Sequence, residues 1–378
     1  MTGPLDGVRI VELAGIGPAP FAAMVLADLG ADIVRVDRAG GGSGFARMDV
    51  MNRGRRSIAV DLKHPEGVEV VLRLAAESDV LIEGFRPGVA ERLGVGPEPC
   101  HERNPRLVYG RMTGWGQDGP YAAEAGHDIT YAAVAGALAH IGRAGQPPTP
   151  PLNLVADFGG GGMLLALGVV SAVLSARETG RGQVVDAAMV DGVALLMAPF
   201  FMAFRSGFFT AERGTNLLDS GAPFYDSYAC ADGRYVAVGA LEPQFYAALV
   251  AGLGLDAGSL GEQNDKANWP AMRARFAATF LTRKRDEWVA HFAGRDACVA
   301  PVNTTEETLA DPHLVARGTV VEVDGVPQPA PAPRFSGTPA AVDRPAPEAG
   351  EHTDELLAGL GYGPDAVTAL REAGAVTG

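Results

Sequence analysis

The residue types with the most chemical potential lie between Gly126 and Gly162. The stretch opens on Gly126-His127-Asp128 and closes on Ala156-Asp157-Phe158, followed by four glycines, Gly159 to Gly162. Asp157 heads the apolar run Met163–Leu174, which places it at a helix N-cap. Free N–H groups and the helix dipole there favour an ionised carboxylate and can receive a developing oxyanion. Glycine weakens a helix start by roughly 1 kcal/mol per residue relative to alanine. The glycine run therefore has two readings: bare backbone that lets a substrate approach the amides, or a loose loop with a capping aspartate. Between the two ends, a short apolar helix is expected over Ile129–Ile141 and a proline-rich bridge over Gln146–Pro151. Taken singly, His127 reads as an ordinary loop or core histidine.

Two further signals invite chemistry. Gly15-Ile16-Gly17-Pro18-Ala19-Pro20 follows the first strand and Asp37 ends the second, the arrangement of a dinucleotide fold. Pro20 stands where the third glycine belongs and lacks both the N–H and the small profile, which argues against a nicotinamide enzyme. From Arg35 to Lys63 the chain carries Arg35, Arg38, Arg47, Arg53, Arg55, Arg56 and Lys63, and Arg86 and Arg92 follow after the fourth strand. Basic side chains at strand ends can grip phosphates; a solvated basic face has the same composition.

The elements that must position these residues read as α/β. Strands are expected at Val8–Leu13, Asp32–Val36, Ser57–Leu62, Asp79–Ile82, Arg106–Met112 and Gln183–Ala187. Helices are expected at Pro18–Leu29, Pro65–Ala76 and, interrupted by Pro199, Met189–Phe204. Alternation over this length predicts a parallel Rossmann-like sheet. From Phe224 the pattern changes. Tyr225–Ala229 and Tyr235–Ala240 flank Asp232-Gly233, a hairpin signal, and helical patterns follow at Gln244–Leu253, Trp269–Leu281 and Asp286–Phe292. We expect a large domain over 1–205 and 331–378 and a smaller α+β domain over 221–320. Residues 206–220 and 321–330 read as linkers, the latter running into a proline-alanine segment, Pro327–Pro347, ahead of two short terminal helices within Glu351–Gly374. The Met and Phe cluster at Met197–Phe209 reads as core or dimer surface.

Composition narrows the function. With 31 basic against 45 acidic residues, a general nucleic-acid or membrane-surface role is disfavoured. Cys100, Cys230 and Cys298 are too few and too scattered for a disulfide framework or a zinc site. No leader pattern is visible from Met1 onward, and the apolar runs fall short of the ~20 residues of a spanning helix. A soluble, cytoplasmic protein without metal is the expectation.

Longer motifs then carry a family resemblance. Val11-Glu12-Leu13 with its Gly-Pro loop, Asp37-Arg38, Val60-Asp61-Leu62-Lys63 and Glu83-Gly84-Phe85-Arg86-Pro87-Gly88 come first. Arg111-Met112-Thr113-Gly114-Trp115-Gly116, Thr179-Gly180-Arg181-Gly182-Gln183 and Val185-Asp186-Ala187-Ala188-Met189 follow in order. In these the chain resembles the family III CoA-transferase superfamily. His127 in its Gly-His-Asp setting and Glu242 in Leu241-Glu242-Pro243-Gln244 resemble the α-methylacyl-CoA racemase branch of it. The resemblance implies an isomerase that interconverts (2R)- and (2S)-2-methylacyl-CoA thioesters by 1,1-proton transfer through an enolate. It implies no cofactor, coenzyme A entering as part of the substrate. His127 and Asp157 would be the acid/base pair, the Asp157 N–H the oxyanion donor, and Glu242 the carboxylate that orients His127, supplied by the partner in an interlocked homodimer. The CoA moiety would lie along Arg38, Val60, Asp61, Leu62, Lys63, Gly84, Phe85, Arg86, Arg92, Gly126, Asp128 and Tyr131. Two other classes remain at this level: a CoA-transferase with Asp157 as nucleophile, and a CoA-binding module without turnover.

Overall fold

The computed structural model describes residues 3–41 and 46–378, apart from the Ala46 side chain. Met1 and Thr2, where the leader reading begins, lie outside the described residues. The chain divides into two compact units. One comprises Met1–Ala135, Leu152–Leu196 and Val315–Gly378, the other Gly136–Pro151 and Met197–Leu314.

The first unit is built on six parallel strands: β1 (Arg9–Leu13), β2 (Asp32–Arg38), β3 (Arg55–Val60), β4 (Val80–Glu83), β5 (Val108–Thr113) and β6 (Val184–Ala188). Their spatial order is β3-β2-β1-β4-β5-β6, and a short C-terminal strand, β12 (Val376–Thr377), pairs antiparallel with β3. In register, Val11 of β1 lies between Val34 of β2 and Leu81 of β4. All three are buried with Ile58, Val60, Val70 and Tyr109 in one apolar cluster. Strands covered on both faces need such continuous apolar runs, which is why the sequence reads so clearly here. The chain winds outward to β2 and β3, then returns across β1 to β4. Loops after β1 and β4 therefore diverge, and the crevice between them is where an α/β sheet of this kind accepts ligands.

Much of the basic stretch after β2 is consumed by the fold. Fully buried Glu12 receives Arg55 Nε at 2.9 Å and Arg35 Nη1 at 3.3 Å. Buried Arg53 makes two bonds to Asp28, at 2.9 and 2.6 Å, and a third to Gln328 at 2.9 Å. Arg56 pairs with Asp32 and Glu355, and Arg47 with Glu351. These five arginines hold strands and termini together and do not form a phosphate cradle. Gln328 sits on a hairpin, β10 (Val320–Val323) and β11 (Val326–Pro329). Residues 321–330, expected as a linker, are thus ordered β structure belonging to the first unit.

A second departure concerns Asp157. The apolar helix starts earlier than its hydrophobic pattern suggests: a π-helical segment, Leu154–Gly162, runs directly into the α-helix Met163–Thr179. Asp157 is inside it and Asn153 holds the N-cap position. The joined helix has 26 residues, long and apolar enough to cross a membrane by length and composition, so length does not exclude a span as expected. Leu165, Ala166, Val169 and Val173 on its inner side are buried.

In the second unit, β7 (Tyr225–Ala229) and β8 (Tyr235–Gly239) form the expected hairpin, with β9 (Val299–Pro301) added on the far side of β8. Phe224, Tyr228, Phe276, Phe280, Trp288 and Phe292 fill its core beneath helices Pro243–Gly252, Trp269–Phe280 and Arg285–Phe292. Residues 136–151, expected with the large domain, join this unit. Arg143 makes a two-pronged bond to Asp226 at 2.9 and 2.7 Å, and Arg213 donates to the Ala139 carbonyl at 2.8 Å. In the Met197–Phe209 cluster Phe209 is buried, whereas Phe201, Met202 and Phe208 are exposed.

Candidate active site

The carboxyl ends of β1, β4 and β5 open into a cavity of about 320 Å³. Its walls are the loops Ile16–Ala19, Gly84–Pro87 and Thr113–Trp115, closed by Gly126, His127, Tyr131, Asp157 and Met189. His127 and Asp157, 30 residues apart in sequence, thus share one cavity. Of the residues expected to hold CoA, Gly84, Phe85, Arg86, Gly126 and Tyr131 also line it.

Each wall has a local cause. Glu83, at the end of β4, is fully buried; its Oε1 accepts from Arg111 Nε at 2.8 Å and its Oε2 from the Phe85 N–H at 2.6 Å. Burial pushes the Glu83 carboxyl upward while the Phe85 amide and Arg111 oppose this. Arg111 reaches on to Glu91 at 2.8 and 3.2 Å. That chain of bonds fixes the Gly84–Pro87 loop, so the acid of the Glu-Gly-Phe-Arg-Pro-Gly motif serves as an anchor.

His127 is the N-cap of the helix Asp128–Val134. Its N–H donates to Thr130 Oγ1 at 3.0 Å and its carbonyl accepts from the same hydroxyl at 2.7 Å. This clasp fixes the backbone while the side chain stays exposed. Tyr131, one turn on, is buried and meets Trp115 edge-on at 4.7 Å. Its ring presses on bare backbone: a Cβ at Gly114 would lie 2.1 Å from Tyr131 Cζ, and one at Gly126 would lie 2.5 Å from Cε1. Burial raises the Tyr131 phenol, the Asp157 charge adds to this and Arg86 opposes it.

Asp157 is half-buried, and its Oδ2 accepts from Asn153 Nδ2 at 3.2 Å. Burial lifts its proton affinity above the ordinary carboxylate range. The Asn153 bond works against that rise, the Asp128 charge adds to it and His127 subtracts from it. Its backbone N–H is not available to an oxyanion as expected, because it donates to Asp128 Oδ2 at 2.8 Å beside the Ala156 N–H at 2.6 Å. Asp128, expected among substrate contacts, is buried beneath the π-helical turn and does not line the cavity.

Three of the four glycines, Gly160 to Gly162, have neither expected role. A Cβ on Gly192 would fall 1.8 Å from the Gly160 carbonyl oxygen; one on Gly161 would meet Met189 Cγ at 2.8 Å, and one on Gly162 would meet Phe21 Cδ1 at 2.6 Å. Bare backbone here admits neighbouring helices, not substrate.

Arg38, Val60, Asp61, Leu62, Lys63 and Arg92 lie outside the cavity lining. Val60 is a buried core residue whose carbonyl accepts from Ala39 N–H at 3.2 Å, so its side chain is not a ligand contact. Asp61 accepts from the Lys63 N–H at 2.9 Å, and Leu62 packs against the core. Arg38, Lys63, Arg86 and Arg92 are exposed, and among the described residues no carboxylate pairs with them. Glu242 lies in the second unit, exposed at the N-cap of Pro243–Gly252 and bonding no amide there. Sequence reading missed Asn153, whose signal is its position four residues before Asp157, and Thr130, three after His127.

A cavity at the switch point of a six-strand parallel sheet, walled by the Gly-Phe-Arg-Pro and Gly-Trp loops, marks a class that the family comparison identifies. The chain belongs to CoA-transferase family III, whose family model matches residues 5–353. It is 47% identical to the alpha-methylacyl-CoA racemase of Mus musculus over 369 residues, covering 97% of this chain and 96% of that protein. It is also 47% identical to the alpha-methylacyl-CoA racemase of Homo sapiens over 371 residues, with the same coverage. The crystal structure of a CAIB/BAIF family protein from Brucella suis matches with a TM-score of 0.81 at 30% identity, covering 95% of this chain and 100% of that one.

Proposed function

We propose that the protein is an enzyme that racemises 2-methylacyl-CoA thioesters at the α-carbon, with His127 and Asp157 as the proton-transfer pair. The observation that carries the mechanism is one cavity lined by both an imidazole and a half-buried carboxylate. Removing a thioester α-proton needs a base in contact and stabilisation of the enolate oxygen; inversion needs an acid on the other face. Each group is base in one direction and acid in the other. The raised proton affinity of Asp157 suits that double duty, since a carboxylate in the ordinary range would return a proton poorly.

With the Asp157 amide occupied, oxyanion stabilisation falls to other donors. At the start of the helix Asp128–Val134 the Thr130 and Tyr131 amides bond the His127 carbonyl, which leaves the Asp128 and Ile129 amides without an acceptor among the described residues. CoA then extends over Arg86 and the Gly84–Phe85 loop, with Arg38, Lys63 and Arg92 left for its phosphates. Coenzyme A is part of the substrate in this reading.

We assign Glu242 the orientation of His127 from the partner chain of a homodimer. Support for a dimer comes from the exposed apolar face of the helix Met163–Thr179: Met163, Leu167 and Leu174 are 48%, 64% and 61% exposed in the single chain, a stripe that soluble proteins usually cover.

The deciding experiment incubates the protein with one epimer of a 2-methylacyl-CoA in deuterated water without any acceptor acid. Deuterium entering at the α-carbon with loss of optical purity supports the racemase. CoA movement strictly dependent on an added carboxylic acid, with Asp157 trapped by hydroxylamine, overturns it in favour of a transferase.

A further inference from the structure

We propose that Asp128 is the positioning residue of the site, holding Asp157 at the cavity wall through the paired N–H groups of Ala156 and Asp157. The proposal rests on the reading above that Asp157 does the chemistry, but on neither the racemase nor the transferase form of it.

The geometry has three parts. Asp128 follows His127 directly and is buried, at 5% exposure. Its Oδ2 receives two adjacent amides at 2.6 and 2.8 Å, one of them the amide of Asp157 itself. Its Oδ1 is buried and has no hydrogen-bond partner among the described residues. A burial so costly is uncommon without a compensating task. The task here is mechanical. A π-helical start leaves a wider turn and more amides without intrahelical acceptors than an α-helix, and Leu154–Gly162 has no side-chain cap from its own N-cap residue. Asp128 supplies the missing acceptor from another element. One residue pair, His127-Asp128, thereby presents the imidazole and fixes the carboxylate opposite it, so the two proton carriers are registered by a single peptide unit.

The same carboxylate acts on Asp157 electrostatically. The groups facing Asp157 are His127, Asp128 and Tyr131 from the Asp128–Val134 segment and its cap, and Asn153 from its own helix; Arg86 faces Tyr131 from the β4 loop. Of these, Asp128 carries the negative charge that raises Asp157 beyond what burial does, against the Asn153 bond and the His127 charge. Removing that charge moves the Asp157 titration to lower pH.

The test uses the full chain and two variants, Asp128→Asn and Asp128→Ala. Folding is checked by circular dichroism and thermal melting. Asn keeps an oxygen for the two amides and loses the charge; Ala loses both. In Asp128→Ala, kcat for α-proton exchange is expected to fall about 100-fold, the cost of a misplacement on the order of 1 Å, with KM for the acyl-CoA within about threefold of wild type. In Asp128→Asn, kcat recovers to within about tenfold, and the acid limb of kcat/KM moves to lower pH. The ¹³C carboxyl resonance of Asp157, assigned by its loss in Asp157→Asn, titrates at lower pH in Asp128→Asn than in wild type. Wild-type kcat in a folded Asp128→Ala, or an unmoved Asp157 resonance in Asp128→Asn, overturns the proposal. If wild type moves CoA only to an added acid, the racemase reading fails by itself. The same variants are then scored on CoA transfer, where Asp128→Ala is expected to lose turnover equally. Should Asp128→Ala fail to fold, the carboxyl titration in Asp128→Asn alone decides.

Discussion

The basic stretch from Arg35 to Arg56 and the rim of the switch-point cavity are alike in sequence and opposite in physics. Both place arginine near strand ends, several in the first and Arg86 in the second. In the first, Arg53 and Arg55 are fully buried against Asp28 and Glu12, and their charges are spent inside the fold. At the rim, Arg86 is exposed and no carboxylate among the described residues pairs with it. The difference teaches that a cation's availability depends on whether an acid is buried beside it, which strand register decides and composition does not.

The comparison breaks most sharply at the rim. His127→Ala and Asp157→Ala are each expected to lower racemisation by at least 10²–10⁴-fold, the scale of positioned proton transfer, while CoA binding measured by calorimetry stays near wild type. Retained racemisation in either variant removes that residue from the mechanism.

Next in size is the interior. Arg55→Met strands Glu12 in the core and should cost roughly 3–5 kcal/mol in urea unfolding, whereas replacing Glu12 and Arg55 together with apolar side chains should recover much of it. A small effect of the single change would mean that Arg35 suffices for Glu12.

Gly114→Ala pushes a methyl group into the Tyr131 ring and is expected to cost about 1–3 kcal/mol, with KM rising more than kcat falls. Arg38→Ala should leave stability within about 0.5 kcal/mol and weaken CoA binding in a salt-dependent way. Binding unchanged at low salt would remove Arg38 from the CoA path.

The smallest effect concerns Asp157 as a stability defect. Its folded-state proton affinity is raised, chiefly by burial, so its ionised form disfavours the folded state at pH values above its folded titration point. Asp157→Asn should therefore raise Tm slightly at pH 8 and leave it unchanged at pH 4. A drop at pH 8 would show that the carboxylate stabilises the turn.

Most of the first unit was legible because its strands are buried on both faces and bounded by proline-started helices. Pro65–Ala76 was read to the residue, and β1, β2 and β4 within two. Strands β9 to β12 were missed. They are two to four residues long, too short to show a period, and proline masks two of them. The site was legible as a set of residue types carried by motifs. Its inner wiring was not, because the bond from Asp128 to the Asp157 amide spans 29 residues and no local pattern announces it.

What the sequence determined by itself was the alternation of strand and helix, the hairpin at Asp232-Gly233 and the presence of an imidazole and a carboxylate in a glycine-rich frame. These are local properties, set by propensity, turn chemistry and hydrophobic period. Only the tertiary structure decided which arginines remain exposed, that the glycines yield to helices, and that Asp157 lies inside a π-helical turn capped from elsewhere. Each of those depends on which distant groups are buried together, and burial is a property of the packed chain.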